Sequence, residues 1–294
     1  MQPSFGSSFK LILAPARSWL SLGPGWAMLA GVLASGVIPL KLAGLMQLLS
    51  LWLLVDPILG ALWELVGVQG VWRNMRPGQL PPPPRHGFYL PYAQPDSIAG
   101  RLVVRVRRYG RWWQEHFWPE QGSHFAAVFL GAGLALLLSL AFGSTLFWLT
   151  LLALGLVALA GQTQTDVAAA EGGRLQSMVQ LLLPWVMGAS LWSSLTPLSL
   201  ALAVCYWVTY LGGLRMLGGH HRAELLFTLG QVTAIILLLA LRLLPGAAVL
   251  TVLLVTQQII KTKFNRPAEF LPKLQPYLVL SLLVAGWSLG QIAG

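Results

Sequence analysis

LAGLMQLLSLWLLVDPILGALWELVGVQGVW, residues 42–72, reads as a membrane helix that carries two carboxylates toward a basic loop. Asp56 and Glu64 are the only acids before Asp96. They stand in an apolar run, where an ionised side chain at the bilayer centre costs about 2.5–3.5 kcal/mol on insertion scales. A carboxylate kept there needs a partner, a metal ion or a polar cavity. The two are eight residues apart, slightly over two helical turns, so both can share one face with Gly60 between them. Oxygen ligands on one face can hold Mg²⁺. The competing use of Asp56 is structural, as a partner for an arginine or a cap on a break beside Pro57.

The rest of the chain makes the membrane reading general. Charged residues are 10% of 294 and hydrophobic residues 56%, against roughly 25% charged in soluble domains. Mean hydropathy is +0.68. The expected fold class is all-α, a polytopic membrane helix bundle forming a single membrane domain over 1–294. Cys205 is the single cysteine, which excludes an intrachain disulfide and a cysteine-cluster metal site. No cleavable-signal pattern stands out near Lys10 and Arg17, and Met1-Gln2 gives no myristoylation site.

Working outward, residues 18–40 carry no charge and are long enough to cross roughly 30 Å of hydrocarbon. Further spans are expected near 42–62, 124–142, 144–160, 176–192, 197–214, 225–241, 247–260 and 275–292, about nine transmembrane helices in all. Gly143, Gly155, Gly188 and Gly230 would let helices approach closely. Pro184 bends its helix or packs against a neighbour that covers the freed carbonyl. The formal charge of +10 does not imply nucleic acid, because most of the basic residues lie in turns between apolar runs. With the N-terminus cytoplasmic, 17 of the 19 Lys and Arg fall inside and only Lys41 and Arg242 outside, as the positive-inside bias requires. The C-terminus is then on the opposite side.

Residues 73–120 form a cytoplasmic basic and proline-rich loop. Pro81 to Pro84 favour an extended polyproline segment. In Ile98 to Trp118, five arginines alternate with Trp112, Trp113, Phe117 and Trp118. That pattern reads as an interfacial segment with arginines at headgroup level. The alternative is that this arginine set, Arg101, Arg105, Arg107, Arg108 and Arg111, meets a diphosphate substrate. His220 and Glu224, four apart, form a candidate polar cluster; the third ligand of a zinc site is absent. No nucleophile elbow, Walker loop or dinucleotide fingerprint is present.

Nine helices with the N-terminus inside and cytoplasmic connections after the second, fourth, sixth and eighth resemble the UbiA-like family of intramembrane prenyltransferases. The segment Leu217-Gly218-Gly219-His220-His221-Arg222-Ala223-Glu224-Leu225-Leu226-Phe227 looks like the start of that family's seventh helix. Phe270-Leu271-Pro272-Lys273-Leu274-Gln275-Pro276-Tyr277 looks like the start of its ninth. The resemblance implies two aspartate-rich motifs that hold Mg²⁺ and a prenyl diphosphate. The first falls on Asp56, Gly60 and Glu64, with its central acid lost. The second should precede the Leu217–Phe227 segment, yet residues 172–223 contain no acid. Departure of diphosphate needs its developing charge held by metal or cations, and without the second acid cluster Arg73, Arg76, Arg105 and Arg108 of the basic loop would have to replace a metal. The resulting expectation is a diverged, non-catalytic UbiA-like protein. It would bind an isoprenoid, quinone, pigment or lipid, or serve as a subunit of a larger membrane complex. The alternative is a Mg²⁺-dependent prenyltransferase acting on an aromatic or tetrapyrrole acceptor through Asp56 and Glu64. A transporter ranks third, since no internal repeat is evident.

Overall fold

The computed structural model describes residues 23–37, 41–68, 97–163, 169–220, 222–264 and 266–293. Twelve α-helices follow one another, with no strand among the described residues. They are α1 (Pro24–Ala34), α2 (Leu42–Leu53), α3 (Leu59–Trp63), α4 (Ile98–Trp112), α5 (Trp118–Ala141) and α6 (Ser144–Thr163). The second half holds α7 (Ala169–Ser177), α8 (Leu183–Ala189), α9 (Pro197–Leu217), α10 (Ala223–Ala240), α11 (Leu244–Thr262) and α12 (Pro267–Ala293).

Among the described residues, four wider π-helical turns fuse some of these into longer runs. They lie at Leu54–Ile58, Glu64–Val68, Trp113–Phe117 and Met178–Leu182. Three adjoin a proline. Pro57 sits inside the first, Pro119 follows the third by two residues, and Pro184 follows the fourth by two. Proline removes one N–H and crowds the carbonyl four residues back, and a wider turn relieves both. Pro184 itself is buried.

Among the described residues, seven helices are long and apolar enough to cross a membrane. They are Leu42–Val66, Ile98–Ala141, Ser144–Gln162, Pro197–Leu217, Ala223–Ala240, Leu244–Thr262 and Pro267–Ile292. The other two expected crossings correspond to α1, with 11 residues, and to the run Ala169–Ala189, which opens on Glu171 and Arg174. That run begins well before the expected 176. The segment after Ser97 also differs from expectation. Ile98–Trp118, expected as a segment apart from the span near 124–142, is helical and continuous with it in one run of 44 residues, Ile98–Ala141.

The core sits on two sides of a central pair of short helices. On one side, α9 to α12 bury Leu202, Tyr206, Phe227, Leu238, Leu274 and Leu282. On the other, α2, α3, α5 and α6 bury Leu51, Leu54, Leu62, Val128, Leu146 and Val157. α1 gives Ala27, Ala30 and Ala34 to the first core and Met28 and Val32 to the second. α8 divides likewise, with Trp185 and Ala189 toward one core and Leu183 and Met187 toward the other.

Glycine makes this central crossing. A Cβ on Gly31 would lie 2.1 Å from the Trp185 carbonyl oxygen, and one on Gly188 would lie 2.1 Å from that of Met28. On α12, Gly286 and Gly290 meet the Ala30 and Leu33 carbonyls just as closely. Lipid supplies no hydrophobic force between helices, so close backbone approach and its dispersion contacts carry the association. Gly230 plays the same part against the Cys205 carbonyl. Gly155 faces open space, and Gly143, with φ of 107°, forms the turn between α5 and α6.

Polar side chains join the same elements. Along α9, the Tyr206 hydroxyl meets Ser281 Oγ of α12 at 2.6 Å. Trp207 Nε1 donates to Ser177 Oγ at 2.8 Å, and the Tyr210 hydroxyl donates to Gln180 Oε1 at 2.6 Å. Trp185 stacks on Tyr206 and donates from Nε1 to Ser199 Oγ. Such pairs average roughly 0.6 kcal/mol in membrane bundles. They also fix which helix meets which.

Candidate functional site

Asp56 owes its position to the π turn around Pro57. From there its Oδ1 accepts a hydrogen bond of 3.2 Å from the Gly25 backbone N–H. Gly25 lies in the first turn of α1, whose N-cap residue, Gly23, has no side chain to satisfy it. The first N–H groups of a helix lack internal acceptors and carry positive partial charge. A carboxylate supplied by another helix answers both needs. The Trp52 ring lies over the same glycine, its Nε1 2.6 Å from where a Cβ would stand. Gly25 is therefore the residue that lets Asp56 and Trp52 close on the start of α1.

Glu64 is exposed at the start of its π turn, while Asp56 is half-buried against α1. A Cβ on Gly60, between them, would meet nothing within 4 Å. Among the described residues, no group of three or more His, Cys, Asp or Glu could hold a metal ion. Arg73 and Arg76 lie outside the described residues. Arg105 is exposed and Arg108 half-buried, both on α4.

His220 and Glu224 engage different neighbours. The α9 helix ends in a left-handed turn at Gly219, with φ of 75°, and the His220 N–H returns to the Arg215 carbonyl. The His220 ring folds back over Gly218, its Nδ1 3.2 Å from where a Cβ would stand. Glu224 instead forms an ion pair and hydrogen bond with Lys261 Nζ, linking the start of α10 to the end of α11.

That ion pair stands on the wall of a cavity of about 280 Å³ between the ends of α9 to α12. Met216, Phe264 and Phe270 supply apolar walls, and Gln258 and Thr262 join the pair as polar lining. Lys273 Nζ lies 3.7 Å above the Phe264 ring. One turn deeper on α11, Gln257 is fully buried, and neither its amide nitrogen nor its amide oxygen has a partner. No motif in the sequence singles out Lys261. The legible signal was the amide pair Gln257-Gln258 inside an otherwise apolar run, since polar groups at that depth mark internal or functional surfaces.

Chemically, this end of the bundle offers an ammonium, a carboxylate, a hydroxyl and an amide above aromatic and thioether walls. It can hold the polar end of an amphipathic molecule. No family model, curated protein or solved structure matches the chain.

Proposed function

We propose that this chain is a diverged UbiA-like membrane protein of nine crossings. It binds a molecule with a polar head and a long apolar body, of the isoprenoid, quinone, pigment or lipid class, as a carrier or as a subunit of a membrane complex. The observation that carries the reading is the cavity at the ends of α9 to α12, with the Glu224–Lys261 pair above Met216, Phe264 and Phe270. Ligand sites combine such apolar walls with a few placed polar groups. The exposed faces of the seven long helices are compatible with a surrounding bilayer, and the body of the ligand would run along them. The engagement of Asp56 supports binding over transfer, because the one acid at the family's leading position holds the start of α1.

Native mass spectrometry of the chain in mild detergent, followed by solvent extraction, tests this. A stoichiometric isoprenoid, quinone, pigment or lipid adduct is expected. Thr262→Trp, which adds bulk at the exposed rim of the cavity, should remove it while the bundle stays folded. An adduct that survives Thr262→Trp places the ligand elsewhere and refutes the site. Mg²⁺-dependent release of diphosphate from a prenyl diphosphate, lost in Asp56→Asn, would replace the binding reading with the prenyltransferase.

A further inference from the structure

α5 alone has 24 residues, about 36 Å of helix, enough to cross roughly 30 Å of hydrocarbon. α4 and its π turn continue the same run for residues 98–117, about 30 Å more. At 3.6 residues per turn, Ile98, Leu102, Val106 and Tyr109 fall within one arc of about 80°. All four are exposed, at 78%, 62%, 61% and 45%. The opposite side is the covered one, with Gly100 buried and Val104, Arg107 and Arg108 half-buried. Arg101 and Arg105, both exposed, border the apolar arc. In water this arc would leave four large apolar side chains hydrated along a helix that otherwise carries five arginines.

We infer that α4 is an arm that lies on an anionic lipid surface. Its Ile98–Leu102–Val106–Tyr109 arc enters the acyl boundary, and Arg101 and Arg105 meet the lipid phosphates. The occupant follows from three features. The arc is apolar and bordered by cations, the pattern of helices that bind in the interface plane. The helix is covalently continuous with a membrane span, so the lipid surface is within reach by geometry alone. The junction carries aromatic side chains that belong at the headgroup boundary, with the Trp113 and Phe117 rings tilted against each other at 4.2 Å and Phe117 edge-on to Phe125 at 5.7 Å. The turn from crossing to surface is made at Trp113–Phe117, where the π geometry and Pro119 together loosen the helical ladder.

The full chain in lipid nanodiscs provides the test. Nitroxide labels at Leu102→Cys, Val106→Cys and Arg111→Cys, each in a Cys205→Ala background, report depth through collision with oxygen or a water-soluble nickel chelate. Labels at 102 and 106 are expected in lipid and the label at 111 in water. Depth at 102 and 106 should increase in phosphatidylglycerol over phosphatidylcholine. Arg101→Gln with Arg105→Gln should lower the ratio of docked to undocked arm about 30-fold, since each basic residue near an anionic surface contributes about a fivefold preference. Trypsin cleavage of the unlabelled native chain after Arg101 and Arg105 should be slower in the anionic discs. Nickel access at 102 and 106 equal to that at 111 would overturn the proposal. So would labels and cleavage that do not distinguish the two lipids.

Discussion

Replacing Gly188 by alanine tests the central crossing. The added Cβ would stand 2.1 Å from the Met28 carbonyl oxygen and 3.0 Å from its carbon. An ordinary carbon–oxygen contact is about 3.3–3.6 Å, so the helices must separate by roughly 1.2 Å. Neither contact atom belongs to a flexible side chain. α1 also cannot retreat. Ala30 and Leu33 lie on its other side, where Gly286 and Gly290 of α12 already press against their carbonyls. Overpacking costs about 1–3 kcal/mol in well-packed interiors, and this site belongs at the upper end. Alanine's better helix propensity offsets up to about 1 kcal/mol. The net expectation is a loss of about 2 kcal/mol, roughly 30-fold in the folding equilibrium. Reversible unfolding in mixed micelles measures it, with Gly155→Ala as control. Gly155 has nothing within 4 Å of an added Cβ, so that variant should be neutral or more stable by up to about 1 kcal/mol. Gly31→Ala should match Gly188→Ala, and the double variant should cost less than the sum because both relieve one crossing. A Gly188→Ala protein as stable as Gly155→Ala would refute the close-crossing account.

Two further outcomes are expected in the same assay. Tyr206→Phe leaves Ser281 Oγ buried without its partner and should cost about 1–3 kcal/mol, while Tyr206→Phe with Ser281→Ala should recover much of that loss; equal stability of the single variant and the parent would argue against the bond. Asp56→Ala removes the acceptor at the start of α1 and should cost about 1–2 kcal/mol, and Asp56→Asn, which keeps an oxygen for the Gly25 N–H, should lose less.

How far the sequence reached is clearest at individual residues. The apolar runs of α2, α6 and α9 to α12 were legible because a membrane span needs only length and apolarity, both local properties. Gly188 and Gly230 were marked as points of close approach, and both are. Gly155, marked on the same grounds, faces open space, since a glycine's neighbour is chosen by the crossing and not by its own helix. For Asp56 the two readings stood side by side in the sequence. The structure shows its carboxylate on the start of α1, some thirty residues earlier in the chain. His220 and Glu224 looked like a pair at helical spacing. They lie on opposite sides of a helix boundary, and Glu224 reaches Lys261 instead.

The sequence by itself determined a helical chain with runs long and apolar enough to cross a membrane, because charge is so costly in hydrocarbon that its absence over long stretches marks such runs. Only the tertiary structure decided which polar groups are partners. Lys261 with Glu224, Tyr206 with Ser281, and Asp56 with Gly25 are 37, 75 and 31 residues apart. In a bundle whose outer face is as apolar as its inner one, hydropathy does not say which side of a helix meets another. The packing of small residues settles that, and with it the company each carboxylate keeps.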